Sequence, residues 1–213
     1  MKVGILGTGD VGKALARGFL ADGHKVMIGT RDPKSDKATA LVAAVGPNLQ
    51  IGTFADAAKF ADLAVLATAW SGTGNAIKLA GPDNLAGKIL IDATNPLDFT
   101  RKPLGLSVGY SDSAGEQVQR WVPKAKVVKA FNTVGNALMV YPKVPGGPPD
   151  MFIAGNDVSA KGKVTEICRA WCWNVIDLGP IVGARYLEPL AIIWCLYGFA
   201  TNTWTHAFKL LKA

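Results

Sequence analysis

Short apolar runs alternate with helix-patterned stretches along most of the chain. "KVGILG" (2–7) is an unbroken apolar run that predicts a buried strand. "VGKALARGFLADG" (11–23) places Val11, Leu15 and Phe19 on one helical face and stops at Gly23. The alternation repeats: strand 25–30, helix 35–45, strand 49–53, helix 54–61, strand 63–68, helix 74–80, strand 88–94, helix 113–123 and strand 126–132. Strands this rich in Val, Ile, Leu and Ala are covered on both faces. Strand and helix in alternation therefore predict an α/β fold with a doubly wound, mostly parallel sheet.

"YPKVPGGPPD" (141–150) breaks the pattern and reads as a loop. Strand 151–155, helix 158–172 and strand 173–179 then continue the sheet, and from Ala184 to the end the pattern is helical, broken at Pro189 and around Gly198. No internal repeat or low-complexity tract is present. The expected division is a main unit over 1–182 and a helical segment over 183–213 that packs on it.

The first strand runs into Gly7-x-Gly9-x-x-Gly12, and the first helix pattern begins within it. That context gives the motif its weight. Gly7 allows a tight turn, Gly9 lets backbone approach a pyrophosphate, and Gly12 lets helix and strand pack closely. Thr8, Asp10 and Val11 complete the turn; Asp10 is expected to cap the helix or face solvent, away from phosphate. The fold reading becomes a Rossmann-like, dinucleotide-binding unit. The second strand ends Thr30-Arg31-Asp32, with Lys34 beside it. NAD-binding chains usually carry an acid at this strand end, whereas a guanidinium suits a phosphate. Thr30, Arg31 and Lys34 therefore predict NADP(H); Asp32 is the contrary signal.

Composition narrows the classes. The chain has 213 residues, 49% of them hydrophobic, and a formal charge of +7. The charge suits an anionic ligand, and the scattered lysines and arginines do not form a nucleic-acid surface. Cys168, Cys172 and Cys195 are too few and too scattered for a disulfide framework. Cys168 and Cys172, four apart, are expected on one helix face as packing residues, and no metal site is expected. Met1-Lys2 leads directly into a strand, and "PLAIIWCLYGFA" (189–200) is too short to span a bilayer. A soluble, cytoplasmic protein is expected. The same apolar stretch makes a homodimer through the C-terminal helices the expected assembly. His24 is expected to be structural, and His206 to lie at the surface.

With "GTGDVG" (7–12), "IGTRDP" (28–33), "ADLAVLATAW" (61–70), "DATNPL" (92–97), "KAFNTVGNALM" (129–139) and "ARYLEPLAIIW" (184–194) assembled, the sequence resembles the F420H2:NADP+ oxidoreductases, also called NADPH-dependent F420 reductases. The resemblance covers essentially the whole chain. It implies NADP(H) lying along the strand ends, with the deazaflavin of coenzyme F420 stacked on the nicotinamide and hydride passing directly between them. It assigns no catalytic acid or base. Ala69 and Trp70 close the fourth strand, Asn95, Pro96 and Leu97 the fifth, and Asn132 the sixth. Backbone here is expected to hold the nicotinamide amide, with Asn95 and Asn132 orienting ring atoms. Pro96, Leu97, Val134 and Ala137 are expected near the deazaflavin. Asn95 before proline reads equally as a turn residue, and Trp70 as a core or dimer aromatic. The same fold forms the cytosolic part of the STEAP metalloreductases.

Other readings stand beside this one. They are reduction of another flavin, a ferric chelate, or a small carbonyl or imine, and a non-catalytic NADP(H) sensor. Against the imine and carbonyl reductases, only about thirty residues follow Gly183, where such enzymes carry a long helical domain.

Overall fold

In the computed structural model, which describes residues 1–211, the strands are β1 (Lys2–Leu6), β2 (Lys25–Thr30), β3 (Leu49–Thr53), β4 (Leu63–Leu66), β5 (Ile89–Asp92), β6 (Leu97–Asp98), β7 (Gly105–Leu106), β8 (Lys126–Lys129), β9 (Asp150–Gly155) and β10 (Asn174–Asp177). The helices are α1 (Asp10–Ala21), α2 (Asp36–Val45), α3 (Phe54–Phe60), α4 (Trp70–Ala80), α5 (Ala114–Trp121), α6 (Val158–Ala170) and α7 (Ala184–Thr201). Eight strands form one sheet in the order β10-β9-β8-β5-β4-β1-β2-β3. Every pairing in it is parallel except β8 with β9. This is the doubly wound, Rossmann-like α/β sheet that the alternation predicts.

Successive residues of a strand point to opposite faces, and the apolar side chains divide accordingly. Val3, Ile5, Val65, Ile91 and Val128 join Leu15, Phe19, Leu41, Val164 and Trp171 in one cluster. Leu6, Ala64, Leu66, Leu90 and Val127 join Phe54, Ala57, Ile77 and Val118 in the other. Helices α1, α2 and α6 thus cover one face, and α3, α4 and α5 the other. Each Val, Leu, Ile or Phe side chain fully buried in this way contributes about 1.5–3 kcal/mol, and each alanine less.

The chain leaves β1 towards β2 and β3, then crosses back to place β4 on the other side of β1. The carboxyl ends of β1 and β4 therefore border the crevice where such sheets bind ligands.

Four expectations are corrected. The C-terminal helix is unbroken from Ala184 to Thr201, with Pro189 inside it. Buried Leu187, Glu188 and Ala191 flank the proline and hold the helix through it. Gly198 is no breaker either: a side chain there would meet the Trp204 ring at 2.6 Å, so glycine lets that ring close onto the helix. Second, the helix ends where Asn202 turns left-handed (φ 52°), and residues 203–211 return along the protein without helix. Asp150 donates its amide to Phe208 O there. Third, His206 is half-buried rather than superficial, stacked on Trp194 at 4.6 Å with Nε2 3.0 Å from Trp194 O. Fourth, Cys168 and Cys172 do not share a helix face. Helix α6 ends at Ala170, Cys172 adopts φ 66°, and Cys168 alone is buried. The β6–β7 hairpin was not anticipated; its strands have two residues each, below any periodicity. Among the described residues no helix is long and apolar enough to cross a membrane.

Asp157 caps α6, accepting Ala160 N at 2.7 Å and Ser159 Oγ at 2.9 Å, and pairs with Lys126 at 3.1 Å. The Ala160 amide first, then Lys126, lowers its carboxyl from 3.8 to about 2. A carboxyl lowered by folding stabilises the fold above its unfolded pKa, and that contribution is lost as pH falls towards the folded value. Thermal melts from pH 5 to pH 2 should show a loss of stability below about pH 4 that is smaller in Asp157→Asn. Identical acid limbs for both proteins would contradict this assignment.

Candidate functional site

Gly7 follows β1 with φ +136°, and a Cβ there would lie 2.2 Å from Ala67 O. The turn leaving β1 therefore rests directly on the turn leaving β4. A Cβ on Gly12 would meet Gly7 O at 2.3 Å, so the first turn of α1 is pressed against the strand end. Gly9 differs: a side chain added there would meet nothing within 4 Å. It faces open space, where backbone can approach a ligand. Gly9 is also the N-cap of α1, and no side chain caps the helix. The first amides of α1 keep their donors and the positive end of the helix dipole for another partner.

The space in front of Gly9 is a cavity of about 470 Å³, lined by Gly7, Thr8, Gly9, Thr30, Arg31, Lys37, Ala69, Ser71, Gly72 and neighbours. Its other wall is the N-terminus of α4, whose N-cap Ala69 also gives no side-chain cap. Two uncapped helix N-termini, the hydroxyls of Thr8, Thr30, Thr68 and Ser71 and two cations thus surround one volume, a composition that suits phosphate groups.

Arg31 is exposed at the cavity edge. Lys34 is exposed and does not line the cavity; Lys37 does. Ser35 caps α2 by accepting Ala38 N at 3.4 Å, and Lys37 falls in the first turn, facing the strand end. The Ser-Asp-Lys pattern of a helix start was the available signal for Lys37. Asp32 is tied into the same turn: Oδ1 accepts Lys34 N at 3.0 Å and its carbonyl accepts Ser35 Oγ at 2.8 Å. It is not part of the cavity lining. Asp10 points to solvent, paired with Lys13 at 3.1 Å.

A second cavity of about 860 Å³ continues from the first, sharing Gly9, Ala67, Thr68, Ala69 and Ser71. Val11, Trp70, Leu97 and Phe99 give it a largely apolar wall, with the polar Thr94 and Asn95 beside them. Trp70 opens α4 rather than closing a strand, and its ring stacks on Trp121 at 5.5 Å. The β6–β7 hairpin supplies Leu97, Asp98 and, just beyond it, Ser107, which donates to Pro96 O at 3.2 Å.

Asn95 and Asn132 are clasped together. Asn95 Nδ2 donates to Asn132 O at 2.7 Å, and Asn132 Nδ2 donates to Asn95 Oδ1 at 3.1 Å and to Leu187 O at 2.9 Å. Asn95 reaches the cavity; Asn132 is buried behind it. Pro96 and Val134 are buried, Ala137 is exposed, and none of the three lines either cavity. The structure thus brings together Gly7, Thr8, Gly9, Asp10, Val11, Thr30, Arg31, Ala69, Trp70, Asn95 and Leu97 around two joined volumes.

Comparison with known proteins gives the family and the fold. Residues 2–96 match a family model described as NADP oxidoreductase coenzyme F420-dependent. A crystal structure described as a candidate F420-dependent NADP reductase, from Arthrobacter sp. FB24, superposes with a TM-score of 0.92 at 42% identity, covering 100% of both chains. The F420-dependent NADP reductase of Methanothermobacter thermautotrophicus is 34% identical over 89% of this chain and 86% of its own length. Metalloreductase STEAP3 of Rattus norvegicus is 32% identical over 90% of this chain, but the chain spans only 36% of that protein.

Removing the Asn132 amide deletes two hydrogen bonds, to Asn95 and Leu187. Asn132→Ala should cost about 2 kcal/mol, at about 1 kcal/mol per bond. Urea unfolding checks this; an unchanged midpoint would remove the clasp from the account.

Proposed function

We propose, from the premise that this chain belongs to the F420-dependent NADP oxidoreductase family, that it transfers hydride between NADP(H) and the deazaflavin coenzyme F420. The chain is an NADP-dependent oxidoreductase, and NADP(H) supplies or receives the hydride when bound. The observation that carries the NADP preference is Arg31 with Lys37 on a cavity from which the nearby acid, Asp32, is withdrawn.

In this reading the first amides of α1, presented by the Gly7–Gly12 turn, hold the pyrophosphate. Open space at Gly9 leaves room for that approach, so the residues present fit the dinucleotide. Thr30, Arg31 and Lys37, with Thr8 beside them, hold the 2′-phosphate, and Lys34 adds only field from outside. The backbone at Ala69 and the side chain of Asn95 orient the carboxamide in the second cavity. Val11, Trp70, Leu97 and Phe99 exclude water there and give an aromatic acceptor an apolar face. No residue needs to move a proton, so the work of the chain is orientation and dryness.

The protein acts in the cytoplasm as a homodimer, a second copy covering the apolar face of α7. Ile193, Leu196, Tyr197 and Phe199 stand exposed on that helix. Light scattering that gives one chain's mass would refute the dimer.

Mixing the purified protein with NADPH and oxidised F420 should bleach the deazaflavin absorbance, with NADH much less effective. Arg31→Ala should raise the NADPH Michaelis constant about tenfold or more, the loss of one charge-assisted contact, and leave that of NADH unchanged. NADPH binding with turnover only on FMN, a ferric chelate or a small carbonyl would move the acceptor; binding with no turnover would leave a sensor.

A further inference from the structure

Lys129, the last residue of β8, is fully buried. Its ammonium donates to Asp92 Oδ2 at 3.0 Å and to Thr94 O at 2.8 Å, and pairs with Glu188 Oε1 at 2.9 Å. An ammonium has three protons, so every donor is used. Asp92 ends β5, and its Oδ1 accepts Thr94 N at 2.9 Å and Thr94 Oγ1 at 2.7 Å. Glu188, on α7, also accepts Ala114 N at 2.9 Å and Gly115 N at 3.0 Å, the first amides of α5. One cation thus joins β5, β8 and α7, and through Glu188 the positive end of α5.

Burial pushes the Lys129 ammonium down, but Asp92 and Glu188 together bring it above the ordinary lysine value. The lysine is held charged. Burial pushes the Glu188 carboxyl up, and Lys129 and the two amides offset that only in part.

A buried charge cluster is poor evidence of stability, because a well-packed apolar replacement is often as stable or more so. What apolar side chains do not supply is a directed bond to a carbonyl. Here that carbonyl belongs to Thr94, and Thr94 and Asn95 both line the second cavity. The Asn132 clasp holds Asn95 from the side and is itself bonded to Leu187 O, next to Glu188. Both restraints on the Thr94–Asn95 turn are referenced to the same turn of α7.

We propose that Lys129 is a positioning residue. It touches no ligand, but through Thr94 O it sets the Thr94–Asn95 turn, and so the angle of the nicotinamide in the second cavity. This rests on the reading of that cavity given above. The 2′-phosphate end of the site lies at β2, away from this network, so affinity for NADPH and productive orientation should separate.

Lys129→Met alone leaves two carboxylates facing one another without a counter-ion. The informative variant is Asp92→Asn/Lys129→Met/Glu188→Gln, neutral throughout and near-isosteric. Asp92→Asn/Lys129→Met is the gentler partner, keeping the Glu188 bonds to α5. Urea melts establish folding, titration gives the NADPH dissociation constant, steady-state assays give kcat and KM, and fluorescence anisotropy of bound NADPH reports nicotinamide freedom. The expected result is a folded protein with an unchanged NADPH dissociation constant, kcat lowered about tenfold or more, one barrier increment of that size, and reduced anisotropy. Wild-type kcat and anisotropy in a folded variant would overturn the proposal. Failure of both variants to fold would also count against it, because the cluster would then serve folding itself. If the wild-type protein turns over no acceptor, the proposed function fails, while the anisotropy comparison still decides the role of Lys129.

Discussion

The site depends on one close approach, between the turn leaving β1 and the turn leaving β4. With a Cβ on Gly7 2.2 Å from Ala67 O, no side chain fits between them. That contact is made where the strand order reverses, so it brings two helix N-termini, those of α1 and α4, to the same volume. Neither helix is capped by a side chain. Four other helices are capped by side chains from within: Ser35 on α2, Thr53 on α3, Ser113 on α5 and Asp157 on α6; α7 follows a short turn at Ile181–Gly183 and has no side-chain cap. The α1 and α4 termini face the cavity, where donors left free by the fold are available to an anion.

Charge is distributed by the same logic. The acids nearest the cavity are spent on the protein: Asp10 on Lys13, Asp32 on its own turn, Asp98 on Thr100 and Arg101. Asp98 is held below the usual carboxylate range first by the Thr100 hydroxyl and amide, then by Arg101. Among the described residues, Arg31 and Lys37 enter no ion pair. The guanidinium and ammonium at the end of β2 are therefore free to pair with an anion placed there.

The second cavity is built differently. Part of its wall comes from a turn, Thr94–Asn95, and a hairpin whose two strands have two residues each, too little regular structure to stand alone. Such segments hold position only through bonds made elsewhere. Thr94 is held by Asp92 and Lys129, Asn95 by Asn132, and the hairpin base by Ser107 on Pro96. Helix α7 closes the network with Leu187 and Glu188, so a late segment of the chain determines the geometry of turns laid down far earlier.

Read alone, the amino-acid order determined the sheet, its doubly buried strands, the glycine turn and the cation at the end of β2. Each is written in local pattern: a two- or 3.6-residue period, glycines at fixed spacing, a charge at a strand terminus. Boundaries drifted by a residue or a turn, as with Trp70, which propensity left at a strand end and packing on Trp121 drew into a helix. The persistence of α7 through Pro189, the choice of Lys37 over Lys34 and the burial of Lys129 were decided by tertiary structure. For Lys129 the deciding partners are distant in sequence: Asp92 and Glu188 stand 37 and 59 residues away. A lysine at a strand end looks the same in sequence whether it meets water or two carboxylates, and only the crossing of β5, β8 and α7 settles which.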